Sequence, residues 1–200
     1  MCIRDRMCIQ LAFYKMFGHP CATYEAAQTR KFKLGRTETI RSCSLESLAF
    51  CQAMQDTNAT DAERYEKFQA AVTRHVKNAK EAAEGAGVDR HLFGLKRLIQ
   101  QGEEPPALFR DPMNAQSGTW ILSTSQISSE VFDAWGFGEV TPKGFGVAYA
   151  IKNNALTFTI MCLKKVHSAS RFTFFLNEAG IELRAMHDRL NQAKSASPKL

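Results

Sequence analysis

The chain has 200 residues, of which 44% are hydrophobic and 23% are charged. This balance is average for a globular protein, and the length is sufficient to bury one core without metals or disulfides. No apolar run approaches the roughly 20 residues that a membrane-spanning helix needs. The sequence therefore predicts one globular domain without a transmembrane segment.

The net charge is +6, from 26 basic and 20 acidic residues. A basic surface can attract nucleic acid, an anionic membrane or an anionic small ligand. Here the basic residues are interspersed with acidic ones, and nothing resembles an RNA-stacking motif or a zinc finger. The six cysteines lack C-x-x-C spacing and histidines at metal-ligand spacing, which indicates reduced thiols. We expect no nucleic-acid partner and no metal site.

The first half of the chain is predominantly helical in pattern. Apolar residues cover most faces of residues 7–17, which stop at Gly18. Thr60 and Glu63 have the spacing of a capping box, and the helix that they open stops at Gly85. Helices are predicted over residues 7–17, 44–54, 60–84 and 90–101, and short strands over residues 30–34 and 39–41. The third helix has one apolar stripe, which consists of Tyr65, Phe68, Val72, Val76 and Ala79, and the fourth is expected to pack Leu92, Leu95 and Leu98.

After Thr119 the period of the apolar residues changes from 3.6 to 2, which is typical of strands. We predict strands at residues 120–123, 146–151 and 156–162. Thr141 to Gly144 has the composition of a turn, and Asn153-Asn154 can tolerate the positive φ of a two-residue hairpin loop. A long amphipathic helix follows. The predicted fold class is α/β, with a mixed β-sheet and flanking helices.

Several short polar blocks interrupt this pattern, and each has an ordinary structural explanation. Residues 35–38 (Gly-Arg-Thr-Glu) suit a tight turn whose polar groups contact the backbone. Residues 89–90 (Asp-Arg) suit a helix cap with an ion pair, and residues 123–125 (Ser-Thr-Ser) suit a turn at a strand end. Taken singly, none of them identifies a function.

Together, these blocks resemble the signature of the choline/carnitine acyltransferase family. Residues 23–25, 35–42, 89–92 and 122–126 follow in the family's order, and residues 135–138 and 144–146 add a fifth block. The resemblance covers residues 7 to about 190. It implies the family's C-terminal domain, a mixed sheet with helices like that of chloramphenicol acetyltransferase, and direct acyl transfer between coenzyme A and a hydroxyl.

By this resemblance, Tyr24, Thr37 and Arg90 bind the carboxylate of carnitine. Two hydroxyls and a guanidinium can together give charge-assisted hydrogen bonds to one carboxylate. The choline-specific branch replaces the matching threonine and arginine, so carnitine is favoured over choline. Ala26 departs from the serine that many carnitine acetyltransferases carry at this position, which predicts weaker binding of carnitine.

The resemblance also assigns roles around the Ser-Thr-Ser block. Ser125 would stabilise the oxyanion of the tetrahedral intermediate, while Ser123 would contact the substrate and Gln126 the coenzyme A tunnel. Phe137 would pack against the trimethylammonium group of carnitine. Trp135 lies where acetyl-specific members carry a bulky residue, which predicts a short acyl pocket.

The family's catalytic base, a histidine in a Glu-His context, is not among the five histidines of this chain. His91 is expected to be structural. The resemblance implies that the base and the lysines that grip coenzyme A precede Met7, in an N-terminal half of the same enzyme. We therefore expect residues 7–193 to be a C-terminal domain that is inactive alone, with carnitine and acyl-coenzyme A as substrates and no permanently bound cofactor.

Both ends of the chain are expected to lie outside this domain. Residues 1–6 are predicted to be a non-native leader, and residues 194–200 a tail. The terminal Pro198-Lys199-Leu200 is close to a peroxisomal address, so a peroxisome or a mitochondrion is predicted. Two alternatives stay open: a choline acetyltransferase-like enzyme, and a non-catalytic binding module that retained the domain.

Overall fold

A computed structural model describes residues 2–127 and 129–196; Met1 of the predicted leader and the terminal Pro198-Lys199-Leu200 lie outside the described residues. The chain divides into two compact units: unit 1 comprises residues 1–20, 43–76 and 168–200, and unit 2 comprises residues 21–42 and 77–167, so one of the divisions falls within α3. The helices are α1 (Cys2–Phe17), α2 (Leu45–Gln55), α3 (Asp61–Ala83), α4 (Asp89–Arg97), α5 (Ala107–Arg110), α6 (Pro112–Ser117) and α7 (Ala169–Ala196). The strands are β1 (Thr23–Gln28), β2 (Thr37–Arg41), β3 (Leu122–Gln126), β4 (Phe145–Ile151) and β5 (Leu156–Met161).

Unit 1 is helical and consists of α1, α2, the first part of α3, and α7. The helical spacing predicted for α7 is confirmed, because its apolar stripe is buried. Helix α1 begins at Cys2, earlier than the predicted residue 7, and ends before Gly18, whose φ is +77°. The buried stripe of α7 comprises Phe172, Leu176, Ala179, Leu183 and Met186.

The start of α3 confirms the predicted capping box. The Glu63 amide donates to Thr60 Oγ1 at 3.2 Å, and the Thr60 amide donates to Glu63 Oε2 at 2.7 Å. The buried face of α3 differs from the prediction in one place, since His75 is 2% exposed and the apolar Val76 is 43% exposed. A polar contact of His75 accounts for this difference.

His75 accepts a hydrogen bond inside unit 1. Arg6 Nη1 lies 2.9 Å from His75 Nε2, and both side chains are buried. Burial, together with the Arg6 charge, lowers the pKa of His75 to about 4. The ring is therefore neutral at physiological pH, as the acceptor of an arginine hydrogen bond must be.

Unit 2 holds a five-stranded sheet in the order β2-β1-β3-β4-β5. Strands β1, β3 and β4 run parallel, and β2 and β5 are antiparallel at the two edges. The predicted mixed sheet is confirmed. Because residues that pair directly share a face, the register defines a polar face, with Tyr24, Thr37, Thr39, Ser123 and Ser125, and a core face, with Glu25, Ile40, Thr124, Val147 and Tyr149.

Two predictions for unit 2 are wrong. Residues 30–34 form turns instead of a strand; the Phe32 amide donates to the Thr29 carbonyl, and Leu34 has a φ of 62°. Their short alternation of polar and apolar residues resembles a strand, but no strand within residues 2–127 and 129–196 pairs with it. Helix α4 ends at Arg97, and Leu95 and Leu98 are 44% and 69% exposed instead of packed.

The predicted turns around β4 are confirmed in position. The Gly144 amide donates to the Thr141 carbonyl at 2.8 Å, and the Lys152 amide donates to the Ala155 carbonyl at 2.8 Å across the β4–β5 hairpin. The two asparagines of that hairpin do not have a positive φ. The register pairs Ile151 with Leu156, so the bond between Lys152 and Ala155 closes the connection directly around Asn153 and Asn154.

Candidate functional site

Three predicted residues meet at the edge of the sheet. Arg90 Nη2 donates hydrogen bonds to Tyr24 Oη at 3.0 Å and to Thr37 Oγ1 at 3.1 Å, and its Nε donates to the Thr37 carbonyl at 3.2 Å. Tyr24 and Thr37 are half-buried, and Arg90 is exposed. We call these three side chains the Arg90 cluster.

The cluster joins separate parts of unit 2. Tyr24 pairs with Arg41, whereas Thr37 pairs with Gln28, so the two hydroxyl residues start from opposite ends of the β1–β2 register. The guanidinium of Arg90, 5.8 Å from the centre of the Tyr24 ring, bridges this separation from α4. The side chains therefore converge although their backbones do not.

An ion pair anchors the start of α4 next to the cluster. Arg41 Nε and Nη2 donate to the two carboxylate oxygens of Asp89 at 3.1 and 2.6 Å, and Nη1 donates to the Ser117 carbonyl at 2.8 Å. The guanidinium also lies over the Trp120 ring at 4.7 Å, and Trp120 contacts the Tyr24 ring at 5.5 Å. The sequence predicts an ion pair at Asp89 but not its partner; the structure shows that the partner is Arg41, which belongs to the same sequence block as Thr37.

The positive charge of Arg90 is not paired with an acidic side chain among the described residues. Within residues 2–127 and 129–196, its guanidinium bonds only to the neutral oxygens of Tyr24 and Thr37, and no ion pair to it is found. Glu38, which is buried, accepts a hydrogen bond from the backbone amide of Arg90 and not from its side chain. An exposed cation beside two hydroxyls can bind a small carboxylate.

The two predicted serines lie on the polar face of the sheet. Ser123 pairs with both Tyr24 and Gly146, and Ser125 lies two residues further along β3. Ser123 is buried, and Ser125 is half-buried. Because side chains alternate along a strand, Gln126 lies on the opposite face from both serines. The structure therefore groups Ser123 and Ser125, but not Gln126, with Tyr24.

A buried network supports this strand from the core face. Thr124 Oγ1 lies 2.6 Å from Glu25 Oε2 and 2.8 Å from the Tyr24 carbonyl. The Tyr149 hydroxyl donates to the same Glu25 oxygen at 3.1 Å. These bonds tie β1, β3 and β4 together behind Ser123, and nothing in the sequence pattern indicated them.

Residues 135–138 (Trp-Gly-Phe-Gly), which we call the aromatic block, cover the polar face at β4. A Cβ atom on Gly146 would come within 2.4 Å of the Phe137 carbonyl oxygen and 2.7 Å of that of Gly138, so the backbone of this segment lies directly on Gly146. The Trp135 and Phe137 rings are 5.7 Å apart, and Trp135 Nε1 donates to the Tyr149 carbonyl at 3.2 Å. Since Gly146 pairs with Ser123, the aromatic block adjoins the serines.

Two recesses flank the Arg90 cluster. One has a volume of about 390 Å³ and includes Arg90; the other is an open depression of about 690 Å³ that includes Thr37. Polar and aromatic side chains line the first recess: Thr39, Arg41, Asp89, Asn114 and Trp120 among them.

Neither a metal site nor a membrane helix is found in the part of the chain that the structure describes. Among residues 2–127 and 129–196, no three His, Cys, Asp or Glu side chains are grouped so that they could hold a metal ion. No helix in these ranges combines the length and the apolar character needed to cross a bilayer.

Comparison with known proteins identifies the class. A sequence model described as choline/carnitine O-acyltransferase matches residues 6–178. The mitochondrial carnitine O-acetyltransferase of Saccharomyces cerevisiae is 40% identical over 190 residues, which are 94% of this chain and 28% of the relative. The human carnitine O-acetyltransferase is 36% identical over 94% of this chain and 31% of its own length. The mouse peroxisomal carnitine O-octanoyltransferase is 38% identical over 78% of this chain and 26% of its own length.

The match extends over most of the chain, so the chain belongs to the choline/carnitine O-acyltransferase family. It spans less than a third of the length of these curated relatives.

Proposed function

We propose that this chain is the C-terminal part of a carnitine O-acyltransferase. The whole protein would transfer an acyl group reversibly between the thiol of coenzyme A and the hydroxyl of carnitine. One observation carries the proposal: the Arg90 guanidinium holds two hydroxyls, from Tyr24 and Thr37, and keeps its charge available to a carboxylate. Carnitine has such a carboxylate, and choline has none, so a choline acetyltransferase-like activity is disfavoured.

The reaction assigns the serines and the aromatic block to the acyl-transfer end of the site. The carnitine oxygen attacks the thioester carbonyl, the carbonyl oxygen becomes an oxyanion, and the coenzyme A thiolate then leaves. Ser125 would donate its hydroxyl to that oxyanion, and Phe137 would face the trimethylammonium group. Ser123 would contact the substrate from the polar face, and Gln126 the coenzyme A tunnel from the other side of β3.

The base that takes the proton from the carnitine hydroxyl would be a histidine outside this chain. Three of the described histidines contact groups other than the serines of β3: His19 contacts the Pro20 carbonyl, His75 contacts Arg6, and His167 contacts the Lys143 carbonyl. We therefore expect the 200-residue chain to bind carnitine without transferring an acyl group. Coenzyme A would be a co-substrate and not a resident cofactor.

Trp135 is proposed to limit the length of the acyl chain. Its indole is half-buried and held by the bond to the Tyr149 carbonyl, beside Phe137. A large, anchored side chain here would shorten the acyl pocket and favour acetyl groups. Comparing transfer from acetyl- and palmitoyl-coenzyme A in the complete protein tests this; equal or better use of palmitoyl-coenzyme A contradicts it.

The relatives bear on localisation as well. They include a mitochondrial carnitine O-acetyltransferase and a peroxisomal carnitine O-octanoyltransferase. We propose that this protein works in one of these two compartments.

The central experiment replaces Arg90 by asparagine in the complete protein. Loss of a charge-assisted contact to a carboxylate is worth about 1.5–3 kcal/mol, so we expect the KM for carnitine to rise about 10- to 100-fold, with little change in any use of choline. The matched control is Arg97→Asn, which removes an arginine of the same helix that lies over the Phe93 ring. An unchanged KM for carnitine would refute the site.

Isothermal calorimetry with the 200-residue chain, combined with activity assays of the complete protein, distinguishes an acyltransferase from a non-catalytic binding module. Carnitine binding that depends on Arg90, together with acyl transfer by the complete protein, supports the proposal. Binding without transfer in the complete protein would instead indicate a non-catalytic module.

A further inference from the structure

Helix α4 carries Arg90 in its first turn, but it lacks a cap of its own. Val88 occupies the N-cap position and makes no side-chain hydrogen bond to the helix. The first backbone amides of a helix have no partner within the helix, so they need acceptors from elsewhere. The orientation of Arg90 therefore depends on what satisfies this turn.

The missing acceptor comes from strand β2. Glu38 Oε2 accepts from the Arg90 amide at 3.3 Å, and Glu38 Oε1 accepts from the Thr39 amide at 2.6 Å. The carboxylate thus bridges the backbone of β2 and the backbone of α4. Its negative charge lies at the positive end of the helix dipole, where it is favourable.

Gly87 makes the space for this bridge. A Cβ atom there would lie 2.4 Å from Glu38 Cγ and 2.7 Å from Cδ. Gly87 is not among the glycines with positive φ. The need for glycine is therefore steric, and the nearest atoms that an added Cβ would meet belong to Glu38.

The Glu38 carboxylate and the Arg90 guanidinium do not pair with each other, and this arrangement suits a binding site. Glu38 is 5% exposed and bonds to main-chain amides, while the Arg90 guanidinium bonds to the neutral oxygens of Tyr24 and Thr37. A carboxylate paired with the guanidinium would compete with an incoming ligand. A carboxylate on the backbone fixes the arginine and leaves its charge unpaired.

We propose that Glu38 is a positioning residue for the substrate carboxylate: it caps α4 through the Arg90 amide, in space provided by Gly87, and so holds the guanidinium against Tyr24 and Thr37. This inference rests on the proposed function. Arg41 assists from the same strand through its ion pair with Asp89, so β2 holds the start of α4 at two points.

The test uses Glu38→Ala, Glu38→Gln and Gly87→Ala in the complete protein. We expect Glu38→Ala and Gly87→Ala each to raise the KM for carnitine about tenfold, the size of one charge-assisted hydrogen bond. At saturating carnitine, kcat and the KM for acyl-coenzyme A should change less than about twofold. Glu38→Gln retains one acceptor oxygen, so it should restore part of the carnitine affinity.

The control variant is Gly94→Ala, on the same helix, where an added Cβ meets nothing within 4 Å. It should leave all three parameters unchanged. Thermal denaturation of each variant accompanies the kinetics; if Glu38→Ala does not fold, Glu38→Gln and Gly87→Ala decide.

The possible failures are distinguishable. If Arg90→Asn leaves carnitine use intact, the proposed function itself is wrong. If Arg90→Asn abolishes it but folded Glu38→Gln and Gly87→Ala keep the original KM for carnitine, the positioning role is overturned. A fall in kcat with an unchanged KM for carnitine also overturns it, because general structural damage would have that effect.

Discussion

The two units of this chain each contain a group of hydrogen-bonded polar side chains, and the two groups differ in their exposure to solvent. In unit 1, Arg6 and His75 bond to each other within a helical core, and both are buried. In unit 2, Tyr24, Thr37 and Arg90 also bond to each other, but they remain half-buried or exposed. A closed pair, which is one buried from solvent, is inaccessible to a ligand and serves folding. An open cluster with unpaired charge can exchange its internal bonds for those of a ligand.

The sheet of unit 2 repeats this contrast across its thickness. On the core face, the Glu25 carboxylate is satisfied by the hydroxyls of Thr124 and Tyr149 and is 2% exposed. On the polar face, Ser125 is half-buried and lies beside small residues. Substitutions on the polar face should therefore affect activity, and those at closed, buried groups should affect stability.

The largest expected effect is that of Ser125→Ala in the complete enzyme. Removing a hydroxyl that stabilises an oxyanion should lower kcat by about 10²- to 10³-fold, which corresponds to about 3–4 kcal/mol. The melting temperature should stay the same, since Ser125 lies on the polar face of the sheet and is only half-buried. Ser170→Ala, an exposed serine of α7, is the control. A large drop in melting temperature without loss of activity would contradict the division between faces.

The closed pair of unit 1 should instead give a pH-dependent stability. The pKa of His75 is lowered from 6.5 to about 4, so between these values the unfolded chain binds more protons than the folded one. The free energy of unfolding should therefore fall by up to about 3 kcal/mol as the pH falls from 6.5 to 4, and be fully present above 6.5. Denaturant titrations at several pH values measure it.

His75→Gln is the matched variant for that experiment, because an amide oxygen can still accept from Arg6 but does not titrate. Carboxylates titrate in the lower part of the same range in both proteins, so the difference between the two pH profiles isolates His75. Identical profiles would show that His75 does not contribute.

A smaller effect is expected from the packing of the aromatic block on β4. Gly146→Ala places a Cβ within 2.4 Å of the Phe137 carbonyl oxygen, and this overpacking should cost about 1–3 kcal/mol of stability. An added Cβ on Gly138, in the same segment, meets nothing within 4 Å, so Gly138→Ala should be nearly neutral. Equal melting temperatures for the two variants would mean that the segment does not rest on Gly146.

Much of the secondary structure could be read from local patterns. The apolar stripe of α7, the capping box at Thr60 and the β4–β5 hairpin each depend on contacts within a few residues or on a sustained period. The same reasoning failed for residues 30–34, where a short alternation had no partner strand. It also failed for Leu98, which helical spacing placed in a core that α4 does not reach.

The sequence by itself determined the class of fold, most of the helices, the strands after Thr119 and, through blocks in a family's order, the residues that meet in the Arg90 cluster. It did not predict β1, which lies between β2 and β3 in the sheet. Only the tertiary structure decided how that cluster is held. Arg41 and Asp89 are 48 residues apart in the sequence, and Glu38 and Arg90 are 52 apart. Contacts between residues so far apart produce no pattern in the local sequence. A carboxylate that caps a distant helix can have the same neighbours in the sequence as one exposed to water.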